Sequence, residues 1–181
     1  MQGREERAPL AAAPFAGCSR PGLFATSRPV DIRDLYQEVI LDHSRRPRNH
    51  GPCPGETHHA HAENPTCGDE VGVHLRLTPD QKVDAITFTG QGCALSQASA
   101  SLMTTKIRGK TLPEAAATVQ QVHSLLTGGT LPEAQLDALG DVQVLQGAAQ
   151  FPQRVKCVTL AWHALDQNLS EPNGGKPADP A

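Results

Sequence analysis

The chain predicts an α+β fold in which a small antiparallel sheet of about three strands packs against helices. Strand-like and helical patterns are segregated along the chain, and a period-two hairpin is flanked by segments of helical period. With 181 residues, the chain is long enough for one domain and one core without disulfide staples.

Residues 1–29 are rich in Ala, Pro, Gly and Arg without a sustained period, and read as a disordered extension. Phe15-Ala16-Gly17-Cys18 is similar to a lipoprotein cleavage site, but its apolar stretch is short and broken by Pro9 and Pro14. Residues 30–169 read as the folded domain, and 170–181 as a polar, Pro/Gly-rich disordered tail.

Ile32, Leu35, Tyr36, Val39, Ile40 and His43 recur at helical spacing. Asp31 is placed to cap that helix and Pro47 to stop it. From Pro47 to His59 the composition reads as a loop, and His58, His59 and His61 as exposed histidines of that region. A weak strand is possible near Ala60 and Ala62. Val71, Val73, Leu75 and Leu77 alternate with Gly72, His74 and Arg76, which predicts a strand. Thr78-Pro79-Asp80 turns the chain into a second strand over residues 83–89, with Ile86 and Phe88 on one side. Gly92-Cys93 opens a helix of small residues, Ala94 to Arg108, closed by Gly109. Thr111-Leu-Pro-Glu114 and Thr130-Leu-Pro-Glu133 both have capping-box spacing, so each predicts a helix start. Val155, Val158, Trp162, Leu165 and Leu169 predict a final helix.

Composition excludes several functions. The net charge is −3 and aromatics make up 3% of the chain, which argues against a nucleic-acid-binding surface. No stretch of ~18 apolar residues is present to span a membrane. Five cysteines cannot all pair within one chain. Reduced cysteines and the lack of a convincing signal point to the cytoplasm.

Three of the cysteines lie at element junctions. Cys67 precedes a strand, Cys93 sits between a strand and a helix, and Cys157 lies early in the last helix. Such positions can converge at one end of a small sheet. Together with Asp69 they supply the four donors of a tetrahedral Zn²⁺ site. Spacing alone carries little weight, because there is no CxxC pair and lone cysteines are often small buried hydrophobes. A zinc that only holds the fold is the plainer alternative. Cys53, in Gly51-Pro-Cys53-Pro, and Cys18 receive no role, although an exposed Cys53 would be open to oxidation.

From Asp34 to Leu165 the chain resembles the SufU branch of the IscU/NifU-type iron–sulfur assembly proteins. The resemblance rests on LYQEVILDHSRRPRNHG at 35–51, NPTCGDEV at 64–71, FTGQGCALSQASASLMT at 88–104, LQGAAQFPQRVKC at 145–157 and the TLAWHAL that follows. It implies an IscU/SufE-NifU-like fold with Cys67, Asp69, Cys93 and Cys157 as metal ligands. Lys156 stands where the IscU branch has a His, and the segment around 111–145 is longer than in that branch, so the SufU branch is favoured. That branch implies a zinc-dependent sulfurtransferase, one that takes persulfide sulfur from a SufS-like cysteine desulfurase and passes it to the downstream Suf scaffold complex. Cys67, on a turn with Gly68, is the expected acceptor, freed when the partner supplies a competing ligand. Arg154 and Lys156 would screen the negative charge of the site. The alternative is an IscU-like scaffold on which a [2Fe–2S] cluster, or its iron, is assembled and transferred.

Overall fold

The alternation of Val71, Val73 and Leu75 becomes the central strand of a three-stranded antiparallel sheet ordered β1–β2–β3. The computed structural model describes residues 32–170, so Asp31, Cys18 and both terminal segments lie outside the described residues. The element order is α1 (Ile32–Arg45), β1 (His58–Asn64), β2 (Asp69–Leu77), β3 (Val83–Gln91), α2 (Ala94–Ile107), α3 (Leu112–Leu126), α4 (Glu133–Leu139), a 3₁₀ segment (Gly140–Gln150) and α5 (Pro152–Ser170).

Period-two geometry gives the sheet two unlike faces. Ala62, Val71, Val73, Leu75, Ile86 and Phe88 are buried on one, against α2 and α5. The register sets His59 opposite His74 and Glu63 opposite Glu70 on the other, where His61 and Glu63 are exposed.

Helix α2 packs against α1, α5 and β3, and most of its residues are buried. Its Ser and Ala side chains let neighbouring backbones approach closely, but each buried hydroxyl then needs a partner. Ser99 Oγ donates to Val158 O at 2.7 Å and accepts from Trp162 Nε1 at 3.0 Å, which ties α2 to α5. Ser101 Oγ accepts the Arg48 backbone N–H at 2.8 Å, and lies 2.8 Å from His43 Nδ1. Its own proton is therefore free for an unprotonated Nδ1 of the buried His43. Burial, followed by the nearby Arg48, holds the pKa of His43 below the usual imidazole value.

Three elements differ from the sequence expectations. The weak strand expected near Ala60 and Ala62 forms as β1 and takes in His58 and His59 as well, because pairing with β2 satisfies their backbone; His59 is half-buried against His74, while His61 is exposed as expected. The capping box forms at Thr111, where Glu114 accepts the Thr111 N–H at 2.8 Å. It does not form at Thr130. There Pro132 is the N-cap of α4 and its carbonyl accepts from Gln135 and Leu136, while the preceding Gly129 is tied back to Ser124. The 3₁₀ segment was not anticipated, although Val142, Leu145 and Ala148 recur at spacing three, the 3₁₀ period, and are buried. Cys53 is also not exposed. It is 6% accessible, and burial raises its thiol pKa, so oxidation is disfavoured.

Two outcomes are expected. Ser99→Ala leaves the Trp162 N–H buried without its acceptor and lowers urea-unfolding stability by about 1–3 kcal/mol. Because the folded pKa of His43 lies below its unfolded value, its contribution is complete above about pH 6.5 and is lost as pH falls through the folded pKa. Urea midpoints measured between pH 7.5 and 5 should therefore fall less steeply for His43→Gln than for the wild type.

Candidate metal centre

The hairpin between β1 and β2 closes on the pair Asn64 and Asp69. Asn64 organises the turn between them. Its side-chain Oδ1 accepts the Thr66 N–H at 3.1 Å, and its carbonyl accepts Gly68 N at 2.9 Å and Cys67 N at 3.2 Å. Gly68 takes φ +72°, a left-handed conformation that costs glycine little. The turn leaves Cys67 exposed at its tip.

Cys93 is the N-cap residue of α2, and its thiol is exposed. Its backbone N–H donates to Asp69 Oδ1 at 3.0 Å. That contact depends on Gly92, because a Cβ there would sit 2.9 Å from Asp69 Cγ. Asp69 is 4% accessible, and its second oxygen, Oδ2, is buried without a hydrogen-bond partner. Cys157 reaches the same place from α5. Its Sγ is 3.6 Å from Cys67 Sγ, donates towards Gln153 O at 3.8 Å, and receives Asn64 Nδ2 at 4.0 Å. Burial, then the Cys67 thiol and the nearby Cys93 and Asp69, push the Cys157 pKa far above the ordinary thiol range.

The ligand atoms of Cys67, Asp69 and Cys157 lie within 4.8 Å of one another. Cys93 stands outside this triplet but lines the same cleft, of about 680 Å³, together with Asn64, Arg154 and Lys156. Of the four donors expected from the sequence, Cys67, Cys93 and Cys157 line one cleft, and Cys67, Asp69 and Cys157 are drawn together. The Arg154 guanidinium lies over the Phe151 ring at 4.9 Å from its centroid.

The donor set fits a Zn²⁺-type cation. Zn–S bonds of ~2.3 Å in a tetrahedron place two sulfurs ~3.8 Å apart, close to the observed separation and far beyond a disulfide's ~2.05 Å. The orphaned Asp69 oxygen is a buried acceptor with no proton to accept, and a cation would satisfy it. Asn64 is a participant that the sequence reading did not single out. An Asn-Pro step ahead of a turn is a signal for its side-chain-to-backbone bond.

Thiols and a buried carboxylate gather at the end of a small sheet, a donor set of the kind that suits soft metals. The sequence matches the NifU-like N terminal domain over residues 35–158, more than half of the chain. The chain belongs to that family. It is 40% identical over 145 residues to the zinc-dependent sulfurtransferase SufU of Bacillus subtilis, covering 80% of this chain and 96% of that protein. It is 41% identical to the iron–sulfur cluster assembly scaffold protein IscU of Streptococcus pyogenes, covering 76% of this chain and 84% of that one. A crystal structure described as an iron–sulfur cluster assembly scaffold for the SUF system of Fervidobacterium islandicum superposes with TM-score 0.69 and 31% identity, covering 77% of this chain and all of that one. The α+β fold with its three-stranded antiparallel sheet is shared with these relatives. Among the described residues, no helix is long and apolar enough to cross a membrane.

Asn64→Ala removes the acceptor that pins the turn. Amide exchange at Thr66, whose N–H that side chain accepts, is expected to quicken roughly five- to tenfold, matching one hydrogen bond of ~1 kcal/mol, while Asn64→Asp restores it. Unchanged exchange in the alanine variant would show that Asn64 does not hold the turn.

Proposed function

We propose that this chain is a zinc-dependent sulfurtransferase of iron–sulfur cluster assembly. It takes sulfur from the persulfide of a SufS-like cysteine desulfurase and delivers it to the downstream Suf assembly machinery, in the reducing cytoplasm. The observation that carries this reading is the contrast within the cleft. Cys67 is exposed on a glycine-containing turn, whereas Cys157 and Asp69 are buried and Cys93, also exposed, is fixed at the start of α2 by its backbone bond to Asp69. Only a sulfur that can reach outward can meet a partner's persulfide. The name of the Bacillus relative supports the same reading.

Zn²⁺ held by Cys67, Asp69, Cys93 and Cys157 would supply thiolates that stay deprotonated near neutral pH. The transfer itself is a thiol exchange. The Cys67 thiolate attacks the outer sulfur of the donor persulfide, a new S–S bond forms on Cys67, and the donor S–S bond breaks. The electron pair leaves on the desulfurase cysteine, which takes up a proton. No external oxidant or reductant is consumed. Arg154 and Lys156 line the cleft and place positive charge where the anionic sulfurs meet. Phe151, exposed beside Arg154, offers an apolar foothold at the rim for a protein partner.

A second reading, a scaffold for a [2Fe–2S] cluster, is favoured by the name of the Streptococcus relative and by thiols that also suit iron. One assay separates the two. Under the first reading the purified protein carries one Zn²⁺ and raises desulfurase turnover on cysteine at least ~tenfold. Cys67→Ala abolishes the stimulation, and mass spectrometry locates a +32 Da persulfide on Cys67 of the wild type (the mass of one added sulfur, roughly). Full stimulation by Cys67→Ala, or a cluster chromophore that forms without stimulation, would overturn it.

A further inference from the structure

The polar face of the sheet holds a second convergence of ligating atoms. His59 on β1 and His74 on β2 are register partners, and Glu56 reaches them from the turn before β1. His74 Nδ1 lies 2.6 Å from Glu56 Oε2 and 3.1 Å from His59 Nδ1. The other nitrogen, Nε2, lies 2.9 Å from Thr89 Oγ1 on β3. The side chains of His74 and Glu56 are only 12% and 28% accessible.

We propose that Glu56, His59 and His74 form a binding site for a divalent first-row transition cation, separate from the cysteine cleft. Three features point there. First, three basic atoms from three places in the chain face one another, and all lie within 4.8 Å. A single proton on His74 Nδ1 serves only one of its two contacts, whereas a cation serves all three atoms. Second, Thr89 accepts from Nε2–H once Nδ1 is a ligand, and such an outer partner fixes the tautomer and ring angle of a metal-bound imidazole. Third, Gly72 lies beneath the pair. A Cβ there would sit 2.8 Å from Thr89 Oγ1, so the glycine leaves that hydroxyl room to meet His74 Nε2.

Two imidazoles and one carboxylate suit Zn²⁺, Co²⁺, Ni²⁺ or Fe²⁺ rather than Mg²⁺ or Ca²⁺. Burial and the adjacent His74 lower the pKa of His59, which favours the neutral, ligating ring. Asp69 and His74 have opposite parity on β2, five residues or ~16 Å apart, so the two sites share a strand and no donor. The inference does not depend on the proposed sulfur transfer.

Co²⁺ titration of the metal-free full chain without an affinity tag tests it. Two equivalents are expected. One brings near-ultraviolet sulfur-to-cobalt absorption, and the other brings only the weak visible bands of nitrogen and oxygen ligation. His59→Gln and, separately, Glu56→Gln should remove the second kind of band and leave the sulfur absorption intact. Thr89→Ala should weaken the second equivalent about 10–100-fold. Absence of a non-sulfur equivalent in the wild type would overturn the site, as would its persistence in both His59→Gln and Glu56→Gln. Its loss in His61→Ala with retention in His59→Gln would place the cation on the His61–Glu63–Glu70 group instead and likewise overturn it. Failure of the sulfur absorption alone would count against the cysteine centre and leave this site standing.

Discussion

The carboxylate of Asp69 is buried at the point where three parts of the chain must meet. One oxygen accepts the Cys93 backbone N–H, so the start of α2 is anchored to the start of β2. That anchor constrains everything at the mouth of the cleft. It requires glycine at position 92, it places Cys93 at a helix end rather than within a strand, and it aims the second oxygen inward without a protein partner. A buried carboxylate with an open lone pair is costly unless something positive arrives. The fold accepts that cost at one location, and two thiols stand beside it.

The sheet divides the molecule's chemistry by parity. Odd positions of β2, Asp69 to Leu75, face the core and the sulfur cleft, while even positions face the polar side where the imidazoles gather. One strand therefore carries thiol-side and imidazole-side groups that cannot reach each other. The core itself is built mainly from β-branched and aliphatic residues, with Phe88 and Trp162 as its large buried aromatics.

Much of this was legible in the sequence because periodicity survives folding. The alternation of Val71, Val73 and Leu75, the helical stripe of α1, and the Thr111 capping box all appear where the spacing placed them. The family motifs named four candidate donors, and three of them, Cys67, Asp69 and Cys157, lie together. What was not legible depends on partners remote in the chain. The histidines of β1 carry little strand propensity, and only pairing with β2 makes that stretch extended. Thr130 has the same local signal as Thr111, but the tether of Gly129 to Ser124 moves the helix start two residues on. The burial of Cys53 and the contact of Asn64 with Cys157 likewise arise from contacts that no short window contains.

Helix α2 sets a mechanical property of the cleft. Its buried stripe is mostly Ser, Ala and Thr, so α1 and α5 rest almost on its backbone, and the hydroxyl bonds of Ser99 and Ser101 leave little slack. Long side chains could change rotamer to absorb a shift, but short ones cannot. Cys157, carried by α5, is thus held at a spacing set by main chain against main chain, while Cys67 rides a turn held chiefly by the local bonds of Asn64. The cleft has one stiff jaw and one compliant jaw, so an approaching partner would meet resistance on the α5 side and yield on the Cys67 side.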